Sequence, residues 1–310
     1  MFSKKNFSKN KFLIIIATLS LIVFSVIVSY FSFGGLNWKN IFNKVGISDF
    51  TTEEITNGMS VHFIDVGKAD CTYIHANDVD ILVDAGDVDQ AGKVVEYLKR
   101  QGVQKLDLVI ASHPHRDHIG QMAQVVNEFK IDKFIEPDIP ENILPTSRTY
   151  ENMLQALKQN NVNASFAVPG SNFEVGDVKV EILGPCHSHE KLNNNSVVAK
   201  ISYGKIRFLF TGDAEKFEED DIMLAKYDLK STVLKVAHHG SSTSCSNQFL
   251  NKVSPKYAVI HVANDRHNCP REDVIKRLSR FCGDDIYRTD LHGTIIFNTD
   301  GQKLNIKTEK

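Results

Sequence analysis

The stretch ASHPHRDHIG, residues 111–120, follows the apolar run LDLVI and sets three histidines and an aspartate within six positions. The run before it is short, rich in Val, Ile and Leu, and reads as a strand. In an extended segment alternate side chains share a face, so His113 and His115 can address one ion. Asp117 and His118 are adjacent and would diverge in a strand. After a turn, with which Gly120 and the helical pattern beyond it are consistent, they can swing together toward a second ion. Imidazole and carboxylate without thiolate suit zinc, manganese or iron. A lone histidine here would be a surface-loop residue; four spaced donors at one strand end argue for metal.

Other apolar runs end in the same way. ILVD closes at Asp84, FLFTGD at Asp213 and LKVAHH at His238-His239. Ligands carried at the ends of strands are held by a stiff sheet, as a preorganised site requires. Each outlying residue also has a plainer reading. Asp213 is placed to cap a following helix, Asp84 to form a turn, and Ser241, Ser242, Thr243 and Ser244 to cap a helix rather than to meet substrate.

Around these motifs, Val- and Ile-rich runs bounded by Gly, Asp or Asn alternate with helical patterns at 91–101, 119–129, 148–159, 216–227 and 271–281. The arrangement predicts one α/β domain over residues 58–310, with sheets packed together under helices. Internal repeats and low-complexity tracts are absent.

The N-terminus is of a different kind. Residues 1–11 carry Lys4, Lys5, Lys9 and Lys11, and residues 12–33, FLIIIATLSLIVFSVIVSYFSF, are uncharged. This is the length of a bilayer-spanning helix. Positive charge before it predicts a cytoplasmic N-terminus and an extracytoplasmic remainder, a single-pass protein of the cell membrane. A cleaved signal peptide is the alternative, but the run ends in Tyr30-Phe31-Ser32-Phe33 rather than in a small-x-small site. Residues 34–57 read as a linker.

The 310 residues contain 36 Lys and Arg against 38 Asp and Glu. With the four N-terminal lysines set aside, 32 basic side chains remain and the exported part is acidic. That counts against a broad, nonspecific nucleic-acid surface, which needs clustered Lys and Arg. Five scattered cysteines without a CxxC pair exclude a disulfide framework.

HxHxDH, with Asp84 upstream and TGD downstream, resembles the metallo-β-lactamase superfamily, which implies an αββα sandwich. HFIDVGKAD, ILVDAG, SHPHRDHIG, NNNSVV, FLFTGDAE, VLKVAHHGSSTS and YRTDLHGTI, in that order, are similar to the hydrolase-like domain of ComEC-type DNA-uptake competence proteins. The resemblance covers residues 60–308. It implies two divalent metal ions, Zn or Mn, with His113 and His115 on the first and Asp117 and His118 on the second. Asp213 would bridge them, and one of His238 and His239 would complete the second site. Asp84 would orient the ligands from behind. Asp117 and Asp84 are thus the expected catalytic carboxylates.

The chain departs from the pattern in places. Where the superfamily supplies a third histidine to the first metal, this chain has Asn193-Asn194-Asn195-Ser196, with His187 and His189 just upstream. The family's early DVGQGD-like turn reads DVGKAD. A later Gly-His-Pro is replaced by Asn268-Cys269-Pro270, with His267 nearby. The competence proteins also carry a multi-helix channel, whereas one apolar span is visible here.

The resemblance implies a membrane-anchored, extracytoplasmic metal-dependent hydrolase, a phosphodiesterase or nuclease using a metal-bridging hydroxide. Its substrate would be single-stranded DNA or a phosphodiester polymer of the envelope. Hydrolysis of a lactone, thioester or β-lactam is a second reading, and a catalytically weak, membrane-tethered binding protein a third. The oligomeric state is left open.

Overall fold

The computed structural model describes residues 58–263 and 268–310. The expected anchor at 12–33, the linker at 34–57 and His267 lie outside the described residues. Among those described, no helix is long and apolar enough to cross a membrane.

The first half of the chain runs β1 (Met59–Phe63), β2 (Thr72–Ala76), β3 (Val79–Val83), α1 (Lys93–Arg100), β4 (Lys105–Leu106), β5 (Leu108–Ile110), α2 (Arg116–Ile119), α3 (Met122–Glu128), β6 (Lys130–Ile131), β7 (Phe134–Glu136), α4 (Arg148–Gln159) and β8 (Ala164–Phe166). The second half runs β9 (Asn172–Val175), β10 (Val178–Gly184), β11 (Val198–Tyr203), β12 (Ile206–Phe210), α5 (Lys216–Leu224), β13 (Val233–Lys235), α6 (Asn247–Val253), β14 (Tyr257–Ile260), α7 (Glu272–Cys282), β15 (Ile286–Arg288) and α8 (Thr289–His292). Finally β16 (Ile295–Thr299) and β17 (Leu304–Thr308) return to the first half.

One sheet has the order β17-β16-β1-β2-β3-β5-β7-β8 and the other β15-β14-β13-β12-β11-β10-β9. Hairpins build the outer strands antiparallel. Where helices intervene the pairing becomes parallel, as crossover connections require: β3, β5, β7 and β8 in one sheet, and β12, β13, β14 and β15 in the other.

Side-chain alternation explains the layering. In β5, Leu108 and Ile110 enter the core between the sheets, whereas Val109 faces outward. In β12, Phe208 and Phe210 point into the same core and Leu209 points outward. Aromatic contacts lock the inner faces, with the rings of Phe63 and Phe210 6.1 Å apart and those of Phe63 and Phe297 5.7 Å apart. Each such fully buried Phe contributes about 1.5–3 kcal/mol of hydrophobic stabilisation.

Helices cover both outer faces. Val94 and Leu98 of α1, Val125 of α3 and Leu157 of α4 pack on Leu82 and Val109. Ile222 of α5, Phe249 of α6 and Leu278 of α7 pack on Leu209 and Leu234. The layers are therefore α, β, β, α, as the resemblance implies. The five cysteines form no disulfide among the described residues.

Candidate metal centre

The parallel strands of each sheet end at one edge, and the polar side chains cluster there. His113 to His118 follow β5; Asp213 follows β12; His238 and His239 follow β13. Gly212, in the left-handed region at φ +47°, lets the turn before Asp213 pass Ser112, whose Cβ lies 2.9 Å from where a side chain would begin.

Two sets of donors face each other across Asp213. On one side, His113 Nε2 lies 3.0 Å from His115 Nδ1 and 3.9 Å from Asp213 Oδ2. On the other, His118 Nε2 is 3.3 Å from Asp213 Oδ1, and His239 Nε2 is 3.3 Å from Asp117 Oδ2. The structure thus brings together His113, His115, Asp117, His118, Asp213 and His239. His118 Nε2 and Asp213 Oδ1 are buried with no hydrogen-bond partner. Such orphaned polar atoms are costly unless something binds them, and their convergence with His113 forms a ready cation site.

The paired histidines divide their roles. His238 and His239 both take left-handed backbone conformations, φ +50° and +52°. Strained backbone of this kind gathers at functional sites, and it throws the two rings in different directions. The His239 side chain is 2% exposed and joins Asp117. That of His238 is 30% exposed, with Nε2 3.9 Å from Asp213 Oδ2, the oxygen that also faces His113. His238 therefore stands at the mouth of the first set.

Hydrogen bonds behind the cluster fix the tautomers. Asp84 Oδ2 accepts from His118 Nδ1 at 2.9 Å and from Ser112 Oγ at 2.8 Å, while Asp84 Oδ1 accepts from the Ser112 amide at 2.7 Å. Ser112 Oγ in turn accepts from His113 Nδ1 at 3.2 Å. His239 Nδ1 donates to the carbonyl of His261 at 2.9 Å. In each case Nδ1 faces an acceptor and Nε2 is left toward the cluster. A hydrogen bond of this kind orients a ligand and raises its basicity.

Electrostatics favour a cation. Burial pushes the imidazoles of His113 and His115 below their usual range, keeping their lone pairs available. Burial also opposes charge on His118, but the carboxylates of Asp213, Asp70 and Asp84 outweigh it and raise His118 well above its ordinary value. Desolvation works against an ionised Asp213, and the charges of His118 and His239 overcome it, holding this carboxyl well below its usual range.

Asp70 is the residue that sequence reasoning left without a role. It is buried and ion-paired with the equally buried Lys235. Its Oδ1 lies 3.5 Å from the Nδ1 atoms of both His239 and His261. It converges with His118 and His239 on their Nδ1 side, where those atoms already donate to Asp84 and to the His261 carbonyl. Asp70 therefore supports the cluster from behind. The signal available was its place in DVGKAD, a turn the family resemblance had marked.

The two upstream histidines are not brought in. His187 is exposed, and His189 pairs with Asp221 at 2.9 Å. Of the Asn193–Ser196 segment, Asn193 Nδ2 reaches both ring nitrogens of His238 at 3.5 Å, and its Oδ1 is buried without a partner among the described residues. Ser196 Oγ accepts from the Asp213 amide at 3.1 Å and Asn194 Oδ1 from the Glu215 amide at 3.0 Å, bracing the turn that carries Asp213. The helix-capping expectation for Ser241 to Ser244 is corrected, because Ser246 caps α6. Thr243 Oγ1 lies 3.3 Å from His238 Nδ1 and Ser244 Oγ donates to Ala237, so these residues hold the histidine turn.

Known proteins are similar to this chain in sequence or in fold. ComE operon protein 3 of Bacillus subtilis is 30% identical over 204 residues, 65% of this chain and 26% of that protein. Recombination protein 2 of Haemophilus influenzae is 29% identical over 256 residues, 80% of this chain and 30% of that one. The chain thus spans between a quarter and a third of the length of these relatives. Among solved structures, the metallo hydrolase Igni18 of Ignicoccus hospitalis superposes with a TM-score of 0.52 at 16% identity, covering 77% of this chain and 98% of that one, a likeness of fold. The metallo-beta-lactamase superfamily model matches residues 64–263, from the end of β1 past the His261 support, and on that match the chain belongs to the metallo-beta-lactamase superfamily.

Proposed function

We propose that the protein is a membrane-anchored, extracytoplasmic metal-dependent phosphodiesterase whose substrate is single-stranded DNA. The observation that carries the reading is the pair of donor sets facing each other across Asp213. His113, His115 and Asp213 would hold one divalent ion, and Asp117, His118, His239 and Asp213 the other. When bound, such ions supply a nucleophile from water at neutral pH and neutralise charge on the phosphoryl oxygens.

The chain's own residues supply the rest. Asp84, Ser112 and the His261 carbonyl hold the histidines in the ligating tautomer. Ser112 Oγ, the hydroxyl that touches a histidine of each set, is committed to Asp84 on their Nδ1 side, away from the Nε2 atoms. Two divalent ions would offset the carboxylates of Asp117, Asp213, Asp84 and Glu215, so that the site could admit an anionic ester although the domain is acidic. His238, partly exposed at the mouth with Thr243 beside it, would meet the incoming substrate first.

DNA is preferred over an envelope polymer on the relatives' names, which concern competence and recombination. Membrane attachment rests on the 12–33 run and the lysines before it.

The test is metal content and activity of the full-length protein in detergent. Mn- or Zn-dependent cleavage of bis(p-nitrophenyl) phosphate and of single-stranded DNA, lost in Asp117→Ala, is expected. Bound metal with ester or lactone cleavage alone would replace the reading. Neither metal nor cleavage in a folded protein would leave a tethered binding protein.

A further inference from the structure

The edge that bears the metal donors continues past them. Strands β12, β13, β14 and β15 are parallel neighbours, so their C-terminal ends line up in one row. Asp213 follows the first, His239 the second, His261 the third, and Arg288 closes the fourth. Beside that fourth end lies an open groove of about 420 Å³, walled by the segment entering α7 and by Arg288 and Asp290.

The groove is fastened to the metal-binding turn. The Arg271 amide donates to the Gly240 carbonyl at 2.9 Å, one residue beyond His239. Gly240 sits at φ +79° with Pro270 Cβ 2.6 Å from the point where its own side chain would begin, so only glycine permits this approach. At the far wall, Thr289 Oγ1 accepts from the Val262 amide and donates to its carbonyl, both at 2.9 Å, tying the end of β15 to the end of β14.

Charge in the groove is unbalanced at one place. Arg288 is neutralised by a two-pronged pair with Asp290, at 3.0 and 2.6 Å. Glu272 is paired with Lys276 at 2.6 Å. The exposed guanidinium of Arg271 has neither an ion pair nor a side-chain hydrogen bond among the described residues. It is thus the uncompensated charge of the described lining, two residues from Cys269, which stands where the family resemblance places the histidine of Gly-His-Pro.

We infer that this groove is a subsite for the phosphate backbone of the strand being cut, with Arg271 contacting a phosphate next to the scissile one. The inference rests on the phosphodiesterase reading and extends it from one phosphate to a strand. Arginine suits the task because its planar fork meets two phosphate oxygens at once. The contact is to backbone, so it adds affinity and register without sequence preference.

The experiment measures binding of a labelled single-stranded phosphorothioate oligonucleotide, which resists cleavage, to the metal-loaded full-length protein across a salt series, then metal-dependent cleavage of the phosphodiester. Arg271→Ala should weaken binding several-fold and flatten the slope of log K against log salt by about 0.7, the value of one single-strand phosphate contact. Arg271→Lys, which keeps the charge, should retain most of the slope. The ratio of kcat/KM for the oligonucleotide to that for bis(p-nitrophenyl) phosphate should also fall several-fold in Arg271→Ala, through KM.

An Arg271→Ala protein with wild-type affinity and slope overturns the inference while leaving phosphodiesterase activity standing. An equal loss on both substrates overturns it too, since the effect would then lie at the metal centre. If the wild-type protein cleaves neither substrate, the functional reading fails and takes the subsite with it.

Discussion

His239 Nε2 lies 3.3 Å from Asp117 Oδ2, although 122 positions separate the two residues and they follow strands of different sheets. The donor set is therefore complete only when the sandwich is closed, and an ion bound there ties the sheets together. Ligand that binds only the folded form stabilises by mass action, about 2.7 kcal/mol at one hundred times Kd. Zinc or manganese should raise the melting temperature over that in EDTA. His239→Ala should lose most of that rise and one equivalent of metal, whereas His238→Ala should lose less. Equal losses in the two variants, by calorimetry and elemental analysis, would refute the division of roles between them.

Asp84 offers a test of support without ligation. It occupies φ +59°, a conformation asparagine tolerates well, so Asp84→Asn leaves the backbone unstrained. The amide weakens the acceptance of His118 Nδ1–H and disturbs the Ser112 relay to His113. Changes behind a metal ligand typically cost 10–100-fold in affinity or activity. We expect a loss of that size in metal affinity by competition titration, together with a lower urea midpoint of the metal-free protein, because the change also breaks a buried pair with His118. Unchanged affinity would show that Asp84 is only a turn residue.

The legible and illegible parts of this fold have physical causes. Where an apolar run met a polar strand end, as at His113, Asp213 and His239, the pattern was local and could be read. Strand β8 is exposed throughout and offers no alternation, and β2 is a short run broken by His75 and followed by a turn; neither stood out. The choice between His238 and His239 depends on two successive left-handed residues, which no neighbouring sequence announces. Asp70 escaped because its partners come from α2, β13 and the end of β14. A buried carboxylate that serves three distant elements leaves only a turn in its own sequence.

That buried pair gives a third prediction. Lys235 Nζ, on β13, pairs with Asp70 and donates to the Gly212 carbonyl at 3.2 Å. Removing one member of a buried pair strands the other's charge, typically at 3–5 kcal/mol. Lys235→Ala should therefore lower stability by about that amount in urea unfolding. Lys235→Met combined with Asp70→Asn should be the more stable of the two, because no charge is left alone. If instead the double variant is the weaker by the sum of both single losses, the pair is not acting as a unit.

Glu136 should give the fold a pH dependence that a single substitution removes. It ends β7 and lines a small void with His113, Tyr150 and Met153. Among the described residues its carboxyl has no ion pair or side-chain hydrogen bond, and burial raises it from 4.5 to about 7. A folded value above the unfolded one means that the native state holds the extra proton between these limits. Its contribution is fully present below pH 4.5 and is lost as pH rises through 7. The shift corresponds to no more than about 3 kcal/mol. Glu136→Gln stays neutral throughout, so in EDTA it should match the wild type near pH 5 and exceed it at pH 8. Urea midpoints at the two pH values decide the matter. A difference between the proteins that does not change with pH would mean that Glu136 is solvated in the native state and carries its charge without penalty.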